Sequence, residues 1–243
     1  MRALLRWIGL VVVAAIALEL FFVVRIAAMV AVDPQSTTFQ RSEAWRQFST
    51  QGEIRWRQQW VPYAQISDNL KRAVVASEDG DFVNHDGVEW DAIEKAWQKN
   101  AKAEEQAARR AQQARAGGKP PKIVGGSTIT QQLAKNLLLS GERTLLRKGQ
   151  EFVLTLLLEL LLGKQRILEI YLNSVEWGEG VYGAEAAAQH YYRKPASRLS
   201  TYEAARLAVM LPRPKFFEKL PNSAYLSGRA SVITARMGDA ELP

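Results

Sequence analysis

The stretch that most constrains this chain is LLRWIGLVVVAAIALELFFVV, 21 almost uniformly apolar residues from Leu4 to Val24. A helix of that length crosses a bilayer. Arg2 and Arg6 stand at its start and no comparable basic density follows directly, which predicts a cytoplasmic N-terminus and an extracytoplasmic chain beyond about Val32. A cleaved signal peptide has an apolar core of only about 7–15 residues and ends at a small-x-small site. Neither feature fits, so the run reads as a retained anchor spanning residues 1–32 with its flanks. Two charges interrupt this stretch and its extension, Glu19 and Arg25. They fall about 120° apart around a helix and form no obvious pair. Arg25 is expected to snorkel to the outer interface, with contact to another membrane helix as the alternative.

The remainder is long enough for one well-buried domain but too short for two large catalytic ones. A net charge of +7 points to an anionic partner without choosing among nucleic acid, phosphate-bearing substrate and acidic lipid. The absence of cysteine removes disulfides, thiolate metal sites and cysteine nucleophiles.

After the anchor, residues 33–59 read as a polar juxtamembrane connector with scattered aromatics, and residues 60–243 as a helical body. In ISDNLKRAVVASE, Ser67 is a candidate N-cap, and Ile66, Leu70, Ala73, Val74 and Ser77 recur at helical spacing. That stripe carries Glu78 to the inward face. Residues 99–122 form an Ala/Gln-rich insertion ending in Gly-Gly and Pro-Pro, expected to be a solvated helix and then a mobile loop. Thr128 with Gln131, and Ser200 with Glu203, have the spacing of capping boxes. The leucine-rich stretch around Glu159 is too short and too interrupted for a second span and reads as a buried core helix, broken from the next near Gly163. No run has the alternation of a strand.

The cluster SEDGDFVNHDG, Ser77–Gly87, concentrates Glu78, Asp79, Asp81, Asp86 and one of two histidines. Asp79 and Asp81 match the short acidic pair of metal-dependent transferases, but that motif needs a preceding buried strand, and Val83 stands where a calcium loop needs another oxygen. Glu78 ends its helix facing unpaired carbonyls, and partial burial there disfavours its charge; both raise its pKa toward that of a general base. A solvated polar turn remains the plain alternative. Gly125-Gly126-Ser127-Thr128 precedes a helix and either receives a phosphate or simply caps it. Lys135, Arg143, Arg147 and Lys148 follow as a cationic set of the kind that holds a pyrophosphate. Glu151 lies one turn after Arg147, where the plain role is a helical ion pair in the less favourable base-first order.

Taken together, WVPYAQIS, ASEDGDFVNHDG, GGSTITQQLAKN, RTLLRKGQE, KQRILEIYLN, WGEGVYGAEAAAQHYY and KPASRLSTYEAARLAVMLPRP resemble, in family order, the monofunctional biosynthetic peptidoglycan glycosyltransferases of glycosyltransferase family 51. The resemblance implies a mainly α, lysozyme-like domain behind an N-terminal transmembrane helix, held at the periplasmic face of the bacterial inner membrane. It implies polymerisation of lipid II into β-1,4 glycan, with inversion and release of undecaprenyl pyrophosphate. Glu78 matches the general base and Glu151 the second acidic residue near the leaving group. Lys135, Arg143, Arg147 and Lys148 match positions near pyrophosphate and sugar; Ser127, Thr128, Gln131, Gln132 and Asn136 line or brace the cleft; Asp79, Phe82 and His85 shape the site. No cofactor or resident metal is called for, although a divalent cation, Mg²⁺ or Mn²⁺, is compatible with the pyrophosphate. The expected partners are lipid II, the growing glycan, the membrane and other cell-wall or cell-division proteins, and not nucleic acid. The insertion at 99–122 makes the stretch between the first two motifs longer than the family pattern. The competing readings are a lysozyme-like enzyme that cuts glycan, against which the cationic set and the anchor argue, and a membrane-tethered scaffold, which leaves the assembled motifs unexplained.

Overall fold

A computed structural model describes residues 1–113, 126–142 and 144–243. The first element, α1 (Arg2–Ala28), is the one helix among the described residues long and apolar enough to cross a membrane, with a mean hydropathy of 2.6 in its best window. At about 1.5 Å per residue it is roughly 40 Å long, more than a bilayer core of about 30 Å. Most of it is bare, but Phe22, Ile26 and Met29 are buried, and α1 packs there against α6 (Leu145–Leu161). Arg166 locks the junction: its Nε donates to the Met29 carbonyl at 2.8 Å and its Nη2 lies 2.7 Å from Asp33.

The 33–59 segment holds a helix, α2 (Thr38–Gln51), started by a capping box between Thr37 and Gln40 and stopped by Gly52 in the left-handed conformation. Its buried face is polar, made of Gln40, Glu43 and Gln47 at one-turn spacing. Gln40 Nε2 donates to the Ser174 carbonyl at 3.0 Å, and Glu43 is paired with Arg46 and Lys215. An apolar-periodicity search passes over such a helix, because hydrogen bonds rather than hydrocarbon fasten it to the body.

The core lies where α3 (Asp68–Glu78) packs on α9 (Thr201–Met210) and α11 (Ala224–Arg236), and where α5 (Ile129–Leu138) meets α6 and α7 (Lys164–Ser174). Ser67 caps α3 by accepting from Asn69 N–H at 3.2 Å, and Leu70, Ala73, Val74 and Val75 are fully buried. Each fully buried Leu or Val contributes about 1.5–3 kcal/mol, so this short helix is held by its neighbours. Ile167, Leu168, Ile170, Tyr171 and Leu172 make α7 buried nearly all round, and Asn173 pairs both ways with the Val61 backbone at 2.9 and 3.0 Å. Alanines fill the start of α8 (Ala184–Tyr192), which lies beside α7.

Two sequence expectations are corrected. A small sheet exists, β1 (Arg57–Gln58), β2 (Glu176–Gly178) and β3 (Val181–Tyr182), in the order β1-β3-β2 with β1 parallel and β2 antiparallel to β3. Strands of two or three residues cannot show an alternation, and β2 and β3 are buried at every position. Gly180 turns between them at φ +73°, where a Cβ would sit 2.1 Å from the Arg55 carbonyl oxygen. The second correction concerns α6, which is not buried all round: Leu154, Thr155 and Leu158 face the core, while Phe152, Val153, Leu156 and Leu160 are exposed, Leu160 by 78%. The Ala/Gln-rich helix begins earlier than its composition suggests, as α4 (Trp90–Gln113); the part of the 99–122 insertion from residue 114 on, with the expected loop, lies outside the described residues. Short α10 (Pro214–Glu218) completes the fold beside β2.

Candidate active site

The site is built at the end of α3. Asp79 leaves helical geometry with φ −162° and ψ 74°, although its N–H still donates to the Val75 carbonyl at 2.9 Å. Glu78 is therefore the last helical residue, part-buried, where the chain turns toward α5. Its Oε2 accepts from Gln132 Nε2 at 3.0 Å, and the Ser77 hydroxyl approaches Oε1 at 3.5 Å. Burial is the main influence on this carboxyl and raises its pKa, assisted by the neighbouring Asp79 charge; the Gln132 and Ser77 hydrogen bonds act the other way. The net shift is upward.

Asp79 is 4% exposed and does something the sequence did not suggest. Its Oδ1 takes the His85 Nε2 at 2.8 Å and its Oδ2 accepts the N–H of Ile129, the first residue of α5, at 2.9 Å. One carboxylate thus ties the turn after α3 to the N-terminus of α5, where a negative charge also suits the helix dipole. His85 accepts the Gly87 N–H on Nδ1 at 3.0 Å, which places its proton on Nε2 toward Asp79. Burial opposes charging of His85 and Asp79 favours it, with the balance raising its pKa. The fully buried Phe82 ring lies under the Lys164 ammonium at 4.7 Å and meets the His85 ring edge-on. Asp81 accepts instead from Asn84 Nδ2 at 2.7 Å, so the Asp79/Asp81 pair is not a shared ligand set. Among the described residues no three His, Cys, Asp or Glu side chains are grouped to hold a metal.

The start of α5 is a cap. Thr128 Oγ1 accepts from Gln131 N–H at 3.1 Å and donates to the Gly87 carbonyl at 2.6 Å, while Gln131 Oε1 accepts from Thr128 N–H. Both side chains are buried and engaged, so they brace the cleft and leave little free N–H for a phosphate. Ser127 is exposed beside them; Gly125 lies outside the described residues. Gln132, Lys135 and Asn136 follow at helical spacing, Lys135 exposed and Asn136 half-buried.

Glu151, on α6, is buried and held between Arg147 Nη1 at 2.8 Å and Lys148 Nζ. The helical ion pair is therefore formed despite its base-first order, and a second cation joins it. Two cations on one carboxylate leave an excess positive charge, and Arg147 Nε is a buried donor with no hydrogen-bond partner among the described residues. Arg143 lies outside the described residues.

Three supporting residues were missed in the sequence. Lys164 donates to the His85 carbonyl and to Glu159 Oε1, the latter at 2.8 Å, and Thr130 Oγ1 donates to the same Glu159 oxygen at 2.6 Å. Tyr171, 1% exposed, donates its hydroxyl to Gln132 Oε1 at 3.0 Å. Glu159 within a leucine run was the available signal for the first pair; for Tyr171 there was only its place in KQRILEIYLN.

Comparison with known proteins places the chain in a family. The family model described as Transglycosylase matches residues 46–238. A Burkholderia thailandensis protein named biosynthetic peptidoglycan transglycosylase is 55% identical over 246 residues, covering 100% of this chain and 90% of that protein. A protein of the same name from Paraburkholderia xenovorans is 50% identical over 242 residues, covering 98% of this chain and 94% of that protein.

Proposed function

Because the chain belongs to the transglycosylase family, we propose that it is a membrane-anchored peptidoglycan glycosyltransferase that polymerises lipid II into β-1,4 glycan in cell-wall biosynthesis. The observation that carries the mechanism is Glu78, a part-buried carboxyl with a raised pKa, oriented by Gln132 at the mouth of the α3–α5 junction. In this reading Glu78 takes the proton of the acceptor sugar's 4-hydroxyl as that oxygen attacks the donor's anomeric carbon. The bond from that carbon to pyrophosphate breaks with inversion, and undecaprenyl pyrophosphate departs. A base in this role supplies about 10²- to 10⁴-fold in rate.

A pyrophosphate leaves without a strong acid when cations take up its charge. Lys135, Arg147 and Lys148 are suited to that task, and the unpartnered Arg147 Nε supports it. Glu151 then keeps two of these cations in place and tempers their charge. A divalent cation entering with the pyrophosphate would supply the same neutralisation; Asp79 and Asp81 of the first motif are already engaged by protein donors. The bare apolar face of α6, adjoining the foot of α1, supports a body seated against the outer surface of the inner membrane, with the N-terminus cytoplasmic.

The test compares purified protein and its Glu78→Gln variant on lipid II and, separately, on finished glycan. Polymer from lipid II alone, lost in the variant, is the expected result. Cleavage of finished glycan without polymerisation would overturn the biosynthetic reading, and a fully active variant would overturn Glu78 as base.

A further inference from the structure

We propose that Tyr171 is a positioning residue: its buried hydroxyl holds the Gln132 amide so that the N–H₂ end, and not the carbonyl, faces Glu78. This rests on Glu78 being the base. Two orientations of that amide fit the space. In one, Tyr171 O–H donates to Gln132 Oε1 at 3.0 Å and Gln132 Nε2 donates to Glu78 Oε2 at 3.0 Å. In the other, the amide carbonyl faces Glu78, which must then carry a proton, and the N–H₂ faces the phenol oxygen. The phenol proton would then have no acceptor among the described residues, deep in the core. A buried donor without a partner is costly, so the first orientation is favoured and with it the ionised, proton-accepting form of Glu78.

Tyr171 suits this part because it stays protonated: burial, and then the charges of Glu78 and Asp79, push its phenol well above the ordinary range. The other groups around Glu78 are accounted for. Asp79 acts on it directly and is itself bonded to His85, and the Ser77 hydroxyl donates to it. From α9, Glu203 is engaged with Lys194 and Arg206 with the Pro221 carbonyl; from the C-terminal elements, Arg236 and Asp239 border Ala76 and Gly80; from α5, Lys135 stands one turn beyond Gln132. The Tyr171–Gln132 chain joins a neutral, fully buried hydroxyl to the Glu78 carboxylate.

The experiment measures kcat against pH for polymerisation of lipid II by the full chain as parent, Tyr171→Phe, Gln132→Leu and the double variant, with melting curves to establish that each is folded. Loss of the phenol proton frees the amide to turn, so the acid limb of Tyr171→Phe is expected to move up by about one unit. Gln132→Leu should move it at least as far, and the double variant no further than Gln132→Leu alone. An unmoved limb in Tyr171→Phe or in Gln132→Leu, or a larger shift in the double variant than in Gln132→Leu, would overturn the proposal. Infrared titration of the Glu78 carboxyl band in the same proteins reads the midpoint without turnover. If Glu78→Gln stays active but that midpoint shifts as stated, the base reading fails and the Tyr171 assignment stands.

Discussion

Replacing Asp79 by Asn tests the central joint of the site, because the change keeps the shape and removes only the charge and one acceptor. In the parent, two buried donors meet this carboxylate, His85 Nε2 at 2.8 Å and Ile129 N at 2.9 Å. An amide can accept one of them; its N–H₂ must then face the other, donor against donor. His85 has no easy escape through its other tautomer, because Nδ1 already accepts from Gly87. Losing a charge-assisted hydrogen bond and stranding a buried donor should together cost about 2–4 kcal/mol. For a chain of this size that corresponds to roughly 5–15 °C in melting temperature. The same change removes a negative charge beside Glu78, so its raised pKa should relax downward and the acid limb of any residual activity should move to lower pH. Melting in detergent and a pH–rate profile on lipid II read the two effects. A melting temperature within about 2 °C of the parent would refute the bridging role, since it would leave less than about 1 kcal/mol for both bonds.

Three further outcomes follow. Gly87→Ala forces an L side chain into φ +81° with its Cβ 2.7 Å from Glu159 Cγ and 2.8 Å from Thr155 Cγ2, and should lower stability by about 2–4 kcal/mol in a denaturant titration. Glu176 is buried in β2 with a pKa raised to about 7, burial being the cause, with Lys215 pulling the other way. For an acid raised in the folded state, the stability it contributes is complete below its ordinary value of 4.5 and is lost as pH climbs through about 7. Glu176→Gln should therefore melt higher than the parent at pH 8, with the gap closing toward pH 5; a pH-independent difference would contradict the assignment. Leu156→Glu with Leu160→Glu, on the exposed face of α6, should leave melting in detergent unchanged while lowering vesicle association and polymerisation of vesicle-borne lipid II. Equal vesicle binding by parent and variant would remove α6 from the membrane contact.

The helical class, the anchor, the capping boxes at Thr128 and Ser200 and the inward turn of Glu78 could all be read from residue spacing, because each is a local pattern with a local cause. What escaped were non-local choices. The α2 helix escaped because its buried face is polar, and the strands because they are two or three residues long. The face of α6 was misjudged because a leucine run reads alike whether or not the rest of the protein covers it. In the site, the residue types were legible and their partners were not. Asp79 was legible as a residue that shapes the site, but its partner at the start of α5, 50 positions away, was not. Nothing local marks Tyr171, whose hydroxyl meets Gln132, 39 positions back along the chain.

The clasp that Arg166 makes on the end of α1 couples the apolar span to the helix framework of the site. Arg166 lies on α7, the same helix that carries Tyr171, and grips the Met29 carbonyl and Asp33 just past the end of α1. The span and the body are consequently joined by hydrogen bonds as well as by packing. A partner helix that seized α1 within the membrane would set the direction in which the cleft faces, without touching the cleft.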